Sequence, residues 1–198
     1  MIRLYAAVCR CYRKLKGLSD YELYHMLYQH SDKQKITCPN GCKHNRFHKA
    51  GTYERKLVCY EQGKIVTHVV RVSCVECVSC GKTHALLPSV IVPYCSFGLH
   101  YIIRLIYDYL NHNYISLSEL CQKYDVSIST FFRMKHRFLM DWKRVLQLDA
   151  YLMEPLSNPS FFTSFFLFKS YLYQEYYLRN YVKKYGYYFM QPTIKNRV

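Results

Sequence analysis

The sequence predicts an α+β chain: a small β-hairpin module, then a mostly helical unit, then a helical C-terminal segment. Three observations predict it. β-Branched residues concentrate between two pairs of closely spaced cysteines in 38–80. Apolar residues then recur at helical intervals from Tyr101 to about Leu148. An aromatic-rich run follows Pro155 and Pro159. We accordingly divide the chain at 1–35, 36–96, 97–150 and 151–198.

Each element has its own local reason. Ser19-Asp20-Tyr21-Glu22 has capping-box spacing, and Leu23, Tyr24, Leu27 and Tyr28 follow at helical intervals, so a helix is expected near 19–30. Thr52–Tyr60 and Lys64–Ser73 read as two strands around a Glu61-Gln62-Gly63 turn. Pro88 and Pro93 punctuate an extended connector. Tyr101–Leu110 reads as a helix with a broad buried face. Ser116 and Glu119 form a second capping box, starting a helix whose inner face is Leu117, Leu120, Cys121 and Tyr124. Asp125-Val126-Ser127 is the turn: Asp tolerates left-handed backbone, Val126 plugs the core, and Ser127 caps the next helix, on which Phe131 and Met134 face inward. Together these residues spell a helix-turn-helix, with Tyr101–Leu110 as the first helix of a three-helix unit. A further helix is expected around 160–185.

Composition narrows the classes. Hydrophobic residues make up 51% of the chain, which excludes a disordered polymer. Lys and Arg number 28 against 13 acidic residues, a net charge of +15, and this favours a polyanionic partner. The 22 tyrosines supply rings that stack on bases and hydroxyls that reach phosphate, although most belong to the core. Phe161–Phe168, the longest strongly apolar run, is far short of the ~20 residues that span a bilayer, so no membrane partner is expected. Met1–Lys16 interleaves cations with a short apolar patch and has no signal-peptide pattern. The ten cysteines are therefore expected in a reducing, cytoplasmic compartment, where clustered thiols bind metal.

Cys38-Pro39-Asn40-Gly41-Cys42 and Cys77-Val78-Ser79-Cys80-Gly81 are two such clusters, and both predicted strands lie between them. Two cysteine knuckles bridged by a β-hairpin are the sequence form of a zinc ribbon. The expected cofactor is one structural Zn²⁺ held by Cys38, Cys42, Cys77 and Cys80, a closed site with no position left for catalysis. Cys74 stands three residues before Cys77 and remains an alternative ligand, as do His84, His44 and His48. Cys9, Cys11, Cys59, Cys95 and Cys121 read as ordinary thiols.

In the docking mode of a helix-turn-helix, the outer face of the second helix enters the major groove of duplex DNA. Ser127, Ser129, Thr130, Arg133, His136 and Arg137 lie on or near that face. Arg133 is expected to read a guanine edge, with the hydroxyls and Arg137 holding phosphates.

The order Cys38-Pro39…Cys42, Gly51-Thr52-Tyr53-Glu54-Arg55, Arg71-Val72, then Cys77…Cys80-Gly81-Lys82-Thr83-His84-Ala85-Leu86-Leu87-Pro88 resembles the N-terminal zinc ribbons of bacterial insertion-sequence transposases. It is especially similar to short mobile-element-associated proteins carrying a Cys-x-x-Cys-Gly-x-Thr-His-Ala-Leu-Leu-Pro signature, over about 36–145. The stretch from Arg71 to the second knuckle is about three residues longer than in that pattern, which leaves Cys74 extra. The resemblance implies a bacterial, nucleoid-associated protein that recognises DNA in connection with transposition, with a transposase or recombinase as a further partner.

A complete transposase needs three carboxylates on an RNase-H-like fold to hold two metal ions. After the helix-turn-helix only Asp141, Asp149, Glu154 and Glu175 remain, so no catalysis is expected. The expectation is a DNA-binding, transposase-related or transposition-accessory protein. Its alternatives are a transcriptional regulator, a module docking on a recombinase through Phe161, Phe162, Phe165, Phe166 and Phe168, and a binder of single strands through stacked tyrosines.

Overall fold

The computed structural model describes residues 1–4, 18–30, 36–43, 46–146, 158–168 and 171–192. His44, Asp149, Glu154 and Pro155 lie outside the described residues. The elements run β1 (Ile2–Leu4), α1 (Asp20–His30), β2 (Phe47–Glu61), β3 (Lys64–Cys77), β4 (Thr83–Pro88), α2 (Leu99–Leu110), α3 (Leu117–Lys123), α4 (Ile128–Leu146), α5 (Pro159–Phe168) and α6 (Tyr171–Tyr185). The chain is thus mixed α and β.

Four strands form one sheet in the order β1-β4-β3-β2. β2 and β3 are an antiparallel ribbon, Phe47 opposite Cys77 at one end and Glu61 opposite Lys64 at the other. Gln62 and Gly63 close it with positive φ of 49° and 84°, the backbone of a type I′ turn, whose twist matches that of the strands. The strands extend several residues beyond the expected 52–60 and 64–73, with an irregularity between Lys49 and Gly51. β4 adds antiparallel to the Cys74–Glu76 end of β3, and β1 pairs parallel with β4. Neither was foreseen: the sequence predicts no strand before Thr52, and none between Ser73 and the connector marked by Pro88 and Pro93.

The first capping box forms complete; the second keeps the Ser116 cap, while the Glu119 carboxylate accepts from Ile115 N–H instead of Ser116 N–H. Ser19 N–H donates to Glu22 and Glu22 N–H to Ser19 Oγ, starting α1. Glu119 N–H donates to Ser116 Oγ, starting α3. α1 lays Leu23, Tyr24 and Leu27 on Leu57, Cys59, Val70 and Val72 of the ribbon, together with Leu87, Val90 and Ile91. A larger core joins α2, α3, α4, α5 and α6 through Tyr101, Ile102, Ile106, Leu120, Phe131, Phe138, Phe162, Phe166 and Tyr181, and the turn end of the ribbon packs against it through Val58, Tyr60 and Ile65.

Two buried carboxylates stitch the helices. Asp20 accepts from the backbone N–H of His100 and Tyr101 at the start of α2, and from His100 Nδ1 at 2.7 Å. His100 Nε2 faces Gln174 Oε1 of α6 at 2.7 Å. Asp141 of α4 accepts from Tyr181 Oη, Met190 N and Arg144. The aromatic segment forms two helices, α5 and α6, on either side of 169–170 instead of one. Phe162 and Phe166 lie in the core, not on a docking face.

Candidate metal centre and nucleic-acid interface

Two tight turns bring the paired cysteines together. Gly41, at φ 73°, lets its N–H reach back to Cys38 O (3.0 Å), and Gly81, at φ 65°, does the same toward Cys77 O (2.8 Å). The second turn hangs from the end of β3, the first from the stretch before β2. The Sγ atoms of Cys38, Cys42, Cys77 and Cys80 all lie within 4.8 Å of one another. Cys38 and Cys80 are 3.8 Å apart. A tetrahedron of Zn–S bonds of about 2.3 Å has edges of about 3.8 Å, so the spacing suits Zn²⁺ and is far too long for a disulfide.

The electrostatics ask for a cation. The backbone N–H of Lys82 and the Asn40 amide lower the Cys80 thiol to about 6, making it a thiolate at neutral pH. Hydrogen bonds with Cys38 and Cys80 push Cys42 up to about 12, because crowded sulfurs cannot all ionise unaided. A divalent ion removes that conflict.

None of the described alternative ligands belongs to the four-sulfur group. Cys74 is paired within the sheet, opposite Gly51 and Ala85, and is not part of the four-sulfur group. His48 is exposed on β2. His84 is buried with Nε2 3.6 Å from Cys38 Sγ and Nδ1 3.2 Å from the amino group of Met1. It is placed to support Cys38 from behind, as outer partners commonly steady a metal ligand.

A second group, Cys59, Glu61 and His68, also has its ligand atoms within 4.8 Å. Glu61 and His68 bond each other at 3.0 Å, Tyr21 stacks on the His68 ring, and Cys59 lies in the apolar core, where burial pushes its thiol up.

The second site is the outer face of α4. Asp125, at φ 47°, turns the chain between α3 and α4, and Thr130 N–H donates to Ser127 Oγ, which caps α4. Phe131, Met134 and Phe138 face the core, as expected for the first two. Ser127, Ser129, Arg133 and His136 are exposed, and Thr130 and Arg137 are half-buried. Arg133 folds along its own helix, Nη2 donating to Thr130 Oγ1 (3.0 Å) and Nε to Ser129 O (3.3 Å). Arg137 forms a wall shared by two clefts. One, about 230 Å³, includes Tyr94, Ser96, Thr130 and Arg133; the other, about 490 Å³, includes His136, Arg144 and Tyr187.

Sequence reasoning missed two residues of this face. Ile128 and Phe132 are 47% and 48% exposed. The signal was present in the Phe131-Phe132 pair, since neighbours lie 100° apart on a helix and both cannot point at one core.

Among the described residues no helix is long and apolar enough to cross a membrane. No curated protein and no solved structure matches the chain. The profile of a family described as a domain of unknown function (DUF6431) matches residues 38–127, a stretch that starts at the first cysteine of the sulfur group, takes in β2, β3, β4, α2 and α3, and ends just before α4.

Proposed function

We propose that the chain is a duplex-DNA-binding protein in which Zn²⁺, held by Cys38, Cys42, Cys77 and Cys80, braces a zinc-ribbon-like module, while α3 and α4 act as a helix-turn-helix with α4 as the recognition helix. One observation carries it: α4 buries Phe131, Met134 and Phe138 while presenting Ser129, Arg133 and His136 to solvent, on a chain of net charge +15. A helix anchored on one side, with cations and hydroxyls on the other, suits a groove lined by phosphates. The exposed Arg133 guanidinium bonds to Thr130 and Ser129 of its own helix and can exchange these contacts for a guanine edge.

In this reading the protein works by binding, without catalysis. Asp141 is engaged by Tyr181, Met190 N and Arg144, and Glu175 by Arg179, so the described carboxylates beyond α4's start serve the fold. The residue pattern shared with mobile-element-associated proteins favours a role in transposition, as a transposase-related or accessory factor.

Selection of bound sequences from a random duplex pool tests the proposal. The expected result is a defined site, bound with an affinity that falls steeply as salt rises. Arg133→Ala is expected to relax base choice at one position. Enrichment of no sequence, or a footprint that Arg133→Ala leaves unchanged, overturns the assignment of α4.

A further inference from the structure

Helical geometry divides the exposed face of α4 into two edges. At 100° per residue, Arg133 and Arg137 follow one edge and Ile128 and Phe132, one turn apart, the other, with Ser129 and His136 between them. The cationic edge borders the clefts beside Ser96 and Tyr187. The apolar edge borders Tyr109, whose hydroxyl accepts from Lys135 Nζ; that ammonium also lies 5.8 Å over the Phe132 ring. Two large apolar side chains thus stand in water, about half exposed and with the Lys135 ammonium beside them, on the face that the DNA reading turns toward a polyanion.

We infer that Ile128 and Phe132 make the chain selective for thymine, by seating the 5-methyl group of one or two thymines of the major groove against the Phe132 ring. This rests on the duplex-DNA reading of α4 and adds the base chemistry it recognises. In the major groove the thymine methyl is the apolar feature that distinguishes A·T from the other pairs, and an apolar side chain is what recognises it. Charge complementarity favours nucleic acid over an apolar protein partner: the Lys135 ammonium lies over the Phe132 ring, Arg133 is its neighbour in sequence on the same outer face, and no acidic side chain of α4 precedes Asp141. The geometry also divides labour, with Arg133 taking a purine edge on one side and Phe132 a methyl on the other, so the selected site should place a thymine beside the position that Arg133 reads.

The experiment uses the full chain and its selected duplex. Each thymine is replaced in turn by deoxyuridine, which removes only the 5-methyl group and keeps the pairing. Replacement at one or two positions should weaken binding about fourfold each, the worth of one apolar carbon removed from water. Phe132→Ala should bind the thymine duplex more weakly and lose the distinction between thymine and uracil, Phe132→Leu should keep it, and Arg133→Ala should keep it while relaxing its own position. Phe132 is half exposed, so these variants are expected to fold, which circular dichroism checks. A selected site whose binding is indifferent to uracil everywhere overturns the inference and leaves the DNA reading standing. Uracil sensitivity that persists in Phe132→Ala does the same, as does DNA binding wholly unchanged by that substitution, the result expected if a protein docks here. Failure to select any duplex overturns both.

Discussion

Asp20 and Gly98 share one space: a β-carbon on Gly98 would lie 2.2 Å from Asp20 Oδ2. Gly98 has an ordinary φ of −67°, so glycine is required there for room and not for backbone freedom. The missing side chain lets a carboxylate from α1 cap a helix that begins about eighty residues later, where N–H groups and the helix dipole favour negative charge.

Gly98→Ala is therefore expected to destabilise the protein by about 1–3 kcal/mol, as overpacking of a filled site does. Asp20→Ala is expected to cost about 2–4 kcal/mol, since it strands buried donors of α2 and His100. The two should not add: Asp20→Ala removes the two closest contacts of the new methyl, at 2.2 and 2.6 Å, and leaves only the β-carbon of residue 20 at 2.8 Å, so Gly98→Ala should cost less in the Asp20→Ala background. Urea unfolding of the four proteins reads this, and simple additivity would contradict the shared-space account.

His100 carries a pH signature. Burial alone lowers its pKa, but the Asp20 charge and hydrogen bonds to Asp20 and Gln174 outweigh burial and the Arg104 charge, and the net shift is upward. A histidine with both ring nitrogens facing acceptor oxygens is held as imidazolium. Its contribution is fully present below the ordinary value of 6.5 and is lost as pH rises through the raised folded-state pKa. The stability difference between the wild-type chain and His100→Gln should accordingly shrink as pH rises above 6.5 and through the raised folded-state value, measured as unfolding midpoints at each pH. A difference that grows with pH would reverse the assignment.

Asp108 predicts the opposite slope. Burial pushes its carboxyl up, yet hydrogen bonds from Lys123, Tyr124 and Asn113 outweigh burial and hold its pKa below the ordinary 3.8. Its stabilisation is present above that value and lost as pH falls toward the depressed folded-state pKa. Asp108→Asn should cost about 1–2 kcal/mol at neutral pH, and the cost should fade below about pH 4. The joint between α2 and α3 would be the first to loosen, visible as faster amide exchange in 117–123.

Metal analysis separates the cysteines. The expected content is one zinc per chain in the wild-type protein and in Cys74→Ser and Cys59→Ser, and none in Cys77→Ser. Chelation should accelerate amide exchange in 38–42 and 76–88 before α2 and α4, because binding supplies ~10 kcal/mol or more to the small β region. A full equivalent of zinc retained by Cys77→Ser would remove the four-sulfur site.

Much of this was legible because it is local. A capping box needs four residues, a type I′ turn two, and the Asp125 turn is announced by a residue that tolerates left-handed backbone. The four sulfurs were legible because tetrahedral ligation demands paired donors. What escaped depends on distant partners. β1 has three residues, too few for any period, and exists because β4 offers an edge. β4 in turn is defined by register with β3. Asp20 and His100, about eighty positions apart, carry no mark in the chain of their meeting; only the fold sets a carboxylate, an imidazole and Gln174 in line. Aromatic residues run through 160–185 with no marked helical stripe, so nothing in the chain separates α5 from α6.

The long ribbon is pinned at both ends. At one lie the sulfurs beside Cys77; at the other Tyr60 stacks at 5.6 Å on Tyr124, which caps the end of α3, with the Arg104 guanidinium 5.7 Å from the Tyr60 ring. A fifteen-residue strand reaches roughly 50 Å, and between two such fasteners it cannot creep along its neighbour, because a slip of one residue turns every side chain to the opposite face and undoes both clasps together. Insertions and deletions in this protein should therefore survive in its surface turns and be purged from the strands, whose length is a gauge setting how far the thiol knot stands from the helices.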